Sequence, residues 1–158
     1  MLLARRTAIR PAAIADCDAV TARLRVDDVA EAAAVAGEAR LALHRAFSAS
    51  LMPPKVGLLG AEVAALWGLC GHELPHVGVP WLLMTPAIEQ LGPLASYFVR
   101  VARRELAAML MIRPRLENYV TADYAKLFPL LEQLGFRIDE PVRLGPQQSL
   151  FRRFWIEV

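Results

Sequence analysis

His72-Glu73-Leu74-Pro75-His76 spells the HExxH string, in which two histidines one helical turn apart hold zinc while the glutamate activates a water. That chemistry needs the string on a helix. Gly71, Pro75, Gly78 and Pro80 crowd the stretch, and a proline ring removes an amide donor and blocks the preceding turn. The string therefore reads as a polar loop between two strands, and no metal is expected. Cys70 could offer a third ligand, but a cysteine ending an apolar strand is ordinarily a core residue.

Other side chains could move protons. Glu117 and Glu73 each fall near the end of a predicted strand, where a general base could meet an amine, although isolated glutamates are usually solvated. Tyr124 opens a predicted helix and could donate a proton, although one aromatic at a helix start is more often packing. Asn118 and Tyr119 are neighbours on a strand, so alternation sends one of them to the core face. Arg100, Arg103 and Arg104 recur at helical spacing, the pattern of a solvated face rather than of a phosphate site.

The elements that must position these residues follow from periodicity. Residues 7–10 read as a strand stopped by Pro11, and Ile14, Cys17, Val20 and Leu24 recur as in a helix. Asp27 is a candidate N-cap for a helix over 28–36, and Leu41, Leu43, His44 and Phe47 form a further helical pattern. Gly60 and Ala61 join two strands, 56–59 and 63–69, into a hairpin, and 79–84 is a third strand. Thr85 and Pro86 open one long helix predicted to reach Ile112. Beyond it come a strand over 116–122, a helix over 124–134 closed by Gly135, and strands over 136–142 and 150–156 around a Gly145-Pro146 turn. Pro129 should kink or shorten that helix. The order predicts an α+β domain: one mixed, mostly antiparallel sheet with helices on both faces.

Composition sets the remaining bounds. With 158 residues, 56% of them hydrophobic, the chain has enough apolar surface for one substantial core, and a single domain over 1–158 is expected. A net charge of +2 arises from Lys and Arg scattered among acids, so no nucleic-acid partner is predicted. Cys17 and Cys70 lack a CxxC or disulfide-framework spacing and fit a reducing compartment. Met1 to Arg6 reverse the order of a signal peptide and no apolar run is long enough to span a bilayer, so neither secretion by a signal peptide nor a membrane partner is expected.

The element order, together with Leu130-Leu131-Glu132-Gln133-Leu134-Gly135-Phe136, resembles the GNAT (N-acetyltransferase) fold, whose last helix and following strand carry such an ending. Four stretches bring the resemblance closer to a GNAT-like family of tailed phages, related to an internal-virion or morphogenesis protein of short-tailed coliphages. They are Leu24-Arg25 with Asp28 and Glu31, Val79-Pro80-Trp81-Leu82-Leu83-Met84-Thr85, Leu116-Glu117-Asn118-Tyr119-Val120, and Gly145-Pro146 with Phe151-Arg152-Arg153-Phe154. The resemblance implies a bacteriophage protein that is virion-associated or acts in assembly, with phage structural proteins as partners and the virion or host cytoplasm as its location.

It also implies where a site would lie. In GNAT enzymes acetyl-CoA sits where two neighbouring strands splay, its pyrophosphate on a Gln/Arg-x-x-Gly-x-Gly/Ala loop at a helix N-terminus. Leu83, Met84, Thr85, Gln90, Gly92 and Asn118 would hold the cofactor, with Tyr124 and Glu117 as the catalytic pair. Two features of the pattern, the loop and the general acid, are not matched. With Gly92 as first glycine, Glu89 replaces Gln/Arg and Pro93 lacks a donor; Leu131 takes the place of the usual general-acid tyrosine, and a leucine transfers no proton. The resemblance thus leaves two functions: a structural or interaction module, or an acetyl-CoA-dependent N-acetyltransferase acting on a host protein or a small amine. An open groove between 79–84 and 116–122 favours the enzyme. A groove plugged by Tyr97 or Met109 favours the module.

Overall fold

The structure, a computed structural model, describes residues 6–25 and 38–158. The helix expected over 28–36 and its Asp27 cap lie outside these residues. Strand β1 (Thr7–Pro11) leads into α1 (Ile14–Thr21), and α2 (Ala39–Ser48) precedes β2 (Lys55–Leu59) and β3 (Glu62–Gly71). Strand β4 (Val77–Met84) feeds a 3-10 segment, Pro86–Leu94, and then α3 (Ala95–Ile112). Strand β5 (Arg115–Thr121), helix α4 (Phe128–Gln133), β6 (Arg137–Ile138), β7 (Val142–Leu144) and β8 (Ser149–Glu157) complete the chain.

All eight strands join one sheet in the order β1-β2-β3-β4-β5-β8-β6, with β7 also paired to β8. Every pairing is antiparallel except that of β4 with β5. Alternation along the strands supplies two apolar faces, and each is covered by helices. Cys17 and Val20 of α1 and Leu43 of α2 pack on Val56 and Leu66 on one face. Met109 of α3 and Leu131 of α4 pack on Leu69, Leu116, Val120 and Phe154 on the other. Leu66, Leu69 and Leu116 are wholly buried, each contributing about 1.5–3 kcal/mol. Helix α1 is tied to β1 by Asp16, whose carboxylate accepts from the Ala13 amide at 2.7 Å and from both terminal nitrogens of Arg10 at 2.8 and 2.9 Å. The Arg10 hydrogen bonds hold the Asp16 carboxyl below its ordinary pKa.

Three expected elements change form. The helix predicted from Thr85 to Ile112 is two pieces, because Gly92 at φ 35° and ψ −104° kinks the backbone inside the 3-10 segment that leads into α3. The helix expected over 124–134 shortens to a 3-10 turn, Ala125–Leu127, and one short α-helix, because Pro129 fits only the first helical turn. The strand expected over 136–142 divides at Asp139, whose carboxylate accepts from Arg153 Nε at 2.7 Å and from Trp155 Nε1 at 3.0 Å on β8. Among the described residues no helix is long and apolar enough to cross a membrane.

Candidate functional site

The site begins where β4 and β5 part. Their parallel register comprises Val77 with Arg115 and Gly78 with Leu116, although β4 runs on to Met84 and β5 to Thr121. Two residues explain why the ladder stops there. Pro80 has no amide hydrogen to continue the rungs. Asn118 then places its side-chain amide between the strands: Nδ2 donates to the Pro80 carbonyl at 2.8 Å, and Oδ1 accepts from the Tyr119 main-chain amide at 2.8 Å. The carboxamide thus takes the place of a direct backbone rung and holds the strands one amide group apart.

Main-chain groups on a strand alternate between its two edges, so Leu82 and Met84 share the gap-facing edge with the Pro80 carbonyl. The Met84 carbonyl accepts from the Arg25 amide at 3.3 Å. Leu82 carries its amide and carbonyl beyond the last rung, where a ligand could pair with them.

The gap opens into a cavity of about 380 Å3 with walls from both faces of the sheet. Leu43 and Ala46 of α2 stand on one side with Trp81 and Leu83; Phe98, Val101 and Met109 of α3 stand on the other with Leu131 of α4. Tyr97 and Met109 line this space, and Met109 belongs to the core cluster around Leu69 and Leu116.

The sequence-predicted residues divide between the cavity and its surroundings. Leu83, Met84, Asn118 and Tyr124 are in its walls. Thr85 is buried beneath the start of the 3-10 segment, where its hydroxyl donates to the Val63 carbonyl at 2.7 Å and accepts from the Ala87 amide at 3.3 Å. Gln90 and Gly92 are exposed in the connection before α3, outside the cavity walls. Because α3 starts only at Ala95, that connection presents a 3-10 turn and a kinked glycine rather than the first turn of a long helix. Glu117 lies just past the last paired rung, at the closed end of the V. Its carboxylate is held by Arg115 Nε at 2.8 Å, with His72 Nε2 at 4.0 Å. Glu73 is exposed in the loop before β4. The HExxH string occupies this same loop rather than a helix, and no three His, Cys, Asp or Glu side chains converge on a metal position among the described residues.

The walls also gather the tyrosines that the sequence offered one by one, and a carboxylate that it did not single out. All three tyrosines of the chain, Tyr97, Tyr119 and Tyr124, line the cavity, and the Tyr124 phenol oxygen accepts a hydrogen bond from Arg25. Glu105 is the carboxylate among the lining residues. Its side chain is 6% exposed and accepts from Lys55 Nζ at 2.9 Å and from Trp67 Nε1 at 3.2 Å. Burial pushes its pKa up, but the hydrogen bonds and charge of Lys55, with Trp67 and Arg104, outweigh burial and hold it below the ordinary value. The signal was present in the sequence: Val101, Glu105 and Met109 recur every four residues, so a charge stands in the apolar stripe of α3.

No family model and no curated protein sequence matches the chain. Solved structures do. A GNAT-family acetyltransferase from Bacillus anthracis superposes with a TM-score of 0.68 at 14% identity, over 98% of this chain and 96% of that one. A GNAT-family acetyltransferase from Streptococcus pneumoniae gives 0.63 at 16% identity, over 97% and 99%. Spermidine N-acetyltransferase from Vibrio cholerae, in complex with CoA and spermine, gives 0.66 at 12% identity, over 96% and 95%. With its helix-covered sheet parting between β4 and β5, the chain has the fold of the GNAT acetyltransferases.

Proposed function

We propose that the protein is an N-acyltransferase that takes its acyl group from acetyl-CoA or a related CoA thioester and passes it to an amine, on a host protein or a small molecule. One observation carries this reading: the gap held open by Asn118 and Pro80 leads into a cavity through the sheet. A purely structural module has no need of such a gap, which leaves strand edges without partners.

The residues present fit a thioester in part. Leu82 offers main-chain groups along the gap, Asn118 borders it, and Leu83 and Met84 line the cavity beside them. Gln90 and Gly92, in the connection before α3, are the residues that the resemblance assigns to the pyrophosphate. Glu89 and Pro93 weaken that cradle through like charge and a missing donor. CoA would supply an activated carbonyl and a thiolate leaving group. Tyr124, held by Arg25, is the wall phenol assigned to protonate the leaving thiolate, in place of Leu131. Glu117, on its Arg115 partner at the closed end, is the weaker half of the assigned catalytic pair.

The second reading is a virion or assembly module in a bacteriophage, with phage structural proteins as partners. The buried Leu131 and the unmatched loop at Glu89 favour it. Calorimetric titration of acetyl-CoA, with thermal shift in parallel, separates the two, because a ligand that binds only the folded state raises the melting temperature by mass action. Micromolar binding supports the transferase. Absence of binding at millimolar ligand removes it and leaves the module.

A further inference from the structure

The cavity reaches much farther than the gap requires. On the α3 face the strand registers align one lateral row, Met84 with Ala65, Ala65 with Gly57, and Gly57 with Ile9. The row starts on β4, the strand that borders the gap, and crosses to β1, a distance of roughly 14 Å at the usual strand spacing. Its middle positions are a glycine and an alanine, so the row is a trough in the sheet surface, narrowed at Gly57 by the Trp67 indole, whose Cζ3 would stand 3.3 Å from a Cβ built there. All four residues except Met84 and Ile9 lack side chains beyond Cβ, and all four line the cavity.

The trough is roofed by α3 through Phe98, Val101 and the small Ala102. The adjacent row sets its flank. Leu82 pairs with Trp67 and Trp67 with Lys55, and Glu105 descends from α3 to bind both Trp67 and Lys55. That polar clasp pairs its own charges and fixes the Trp67 indole along the border of the trough. At about 380 Å3 the cavity falls within the roughly 300–1,000 Å3 range of sites that enclose a whole small molecule. An acetyl group fills a small fraction of it.

We infer that the acyl group carried by the thioester is an unbranched chain of medium length, lying in the trough from Met84 toward Ile9. This rests on the acyltransferase reading above and names its donor class. In the transfer the amine nitrogen bonds to the thioester carbonyl carbon, the carbon–sulfur bond breaks, and the proton lost by the amine balances the one gained by the thiolate. The products are an N-acyl amide and free CoA thiol. No oxidant or further reactant is needed.

Calorimetry with CoA, acetyl-CoA, butyryl-CoA, hexanoyl-CoA and octanoyl-CoA tests the inference. Affinity should rise about fourfold for each methylene buried, until the trough is full. Ala102→Leu, a substitution that keeps a strong helix former on α3, should erase the rise while leaving acetyl-CoA binding unchanged. A flat series in the native protein, with CoA bound throughout, would overturn the trough and leave the acyltransferase intact. A rise that persists equally in Ala102→Leu would also overturn it, because the chain would then be binding elsewhere. Failure of every CoA compound to bind would remove the underlying function itself.

Discussion

The guanidinium of Arg25 donates a hydrogen bond to the phenol oxygen of Tyr124, which lies 99 residues away in the chain. The contact joins the segment after α1 to the turn before α4, and it places a positive charge beside a phenol in the cavity wall. A tyrosine that accepts from arginine keeps its own hydrogen as a donor, and its conjugate base would meet a cation. Tyr124→Phe is expected to lower kcat about a hundredfold or more while the Kd for acyl-CoA stays within a factor of two. Stopped-flow detection of CoA thiol measures the first and calorimetry the second. An unchanged kcat would return Tyr124 to packing.

Asn118 satisfies two backbone groups at once. Asn118→Ala strands the Tyr119 amide and the Pro80 carbonyl, for a cost of roughly 2 kcal/mol. In a domain of this size that is a fall in Tm of about 4–8 °C. Asn118→Asp can still accept from Tyr119 but turns a negative oxygen toward Pro80, so it should be at least as damaging. Thermal melts of the two variants decide the point. Recovery of native stability in the aspartate variant would contradict the spacer geometry.

Lys55→Met leaves the Glu105 carboxylate buried without its cation, which should cost about 2–3 kcal/mol at neutral pH, a figure lowered because Lys55 keeps a third of its side-chain surface in water. The sign with pH follows from the direction of the shift. In the native protein the Glu105 pKa is depressed, so its contribution to stability is present above the ordinary value of 4.5 and is lost as pH falls through the folded value. In Lys55→Met burial acts unopposed by Lys55, and the deficit should shrink as acid neutralises the carboxyl. Adding Glu105→Gln should restore part of the loss at pH 7. Urea unfolding at pH 7 and pH 4 reads all three proteins, and a deficit independent of pH would refute the pairing.

Gly68 lies against the face of Trp81. A Cβ built there would stand 2.5 Å from Cζ2 and 2.7 Å from Cε2 of the indole, contacts that the ring must relieve by moving. Gly68→Ala should therefore cost about 1–3 kcal/mol and shift Trp81 in the cavity wall. Reduced Tm together with weakened thioester binding is the expected pair of results; unchanged values for both would mean that the indole has room to spare.

What the sequence made legible was the part written in local signals. The Gly60-Ala61 turn, the strand ending at Met84 and the close of α4 at Gly135 all follow from turn residues and periodicity, and the structure has them. The long helix was misread because Leu94, Phe98 and Val101 keep a helical period whether or not Gly92 breaks the backbone before them. The division at Asp139 was hidden because its partners, Arg153 and Trp155, are distant in sequence. The walls of the cavity were legible in the same uneven way. Leu83, Met84, Asn118 and Tyr124 reach the cavity, while the Asn118 spacer, the Arg25 contact and the Lys55 clasp on Glu105 depend on pairings that no local pattern encodes.

The parting of β4 from β5 carries a consequence for solubility and self-association. An unpaired strand edge ordinarily invites another chain to add to the sheet. Here two such edges face each other within one molecule, each barring foreign strands from the other. The parting thereby keeps its backbone donors and acceptors inside the sheet, shielded in a way that the outer edge of β1 is not.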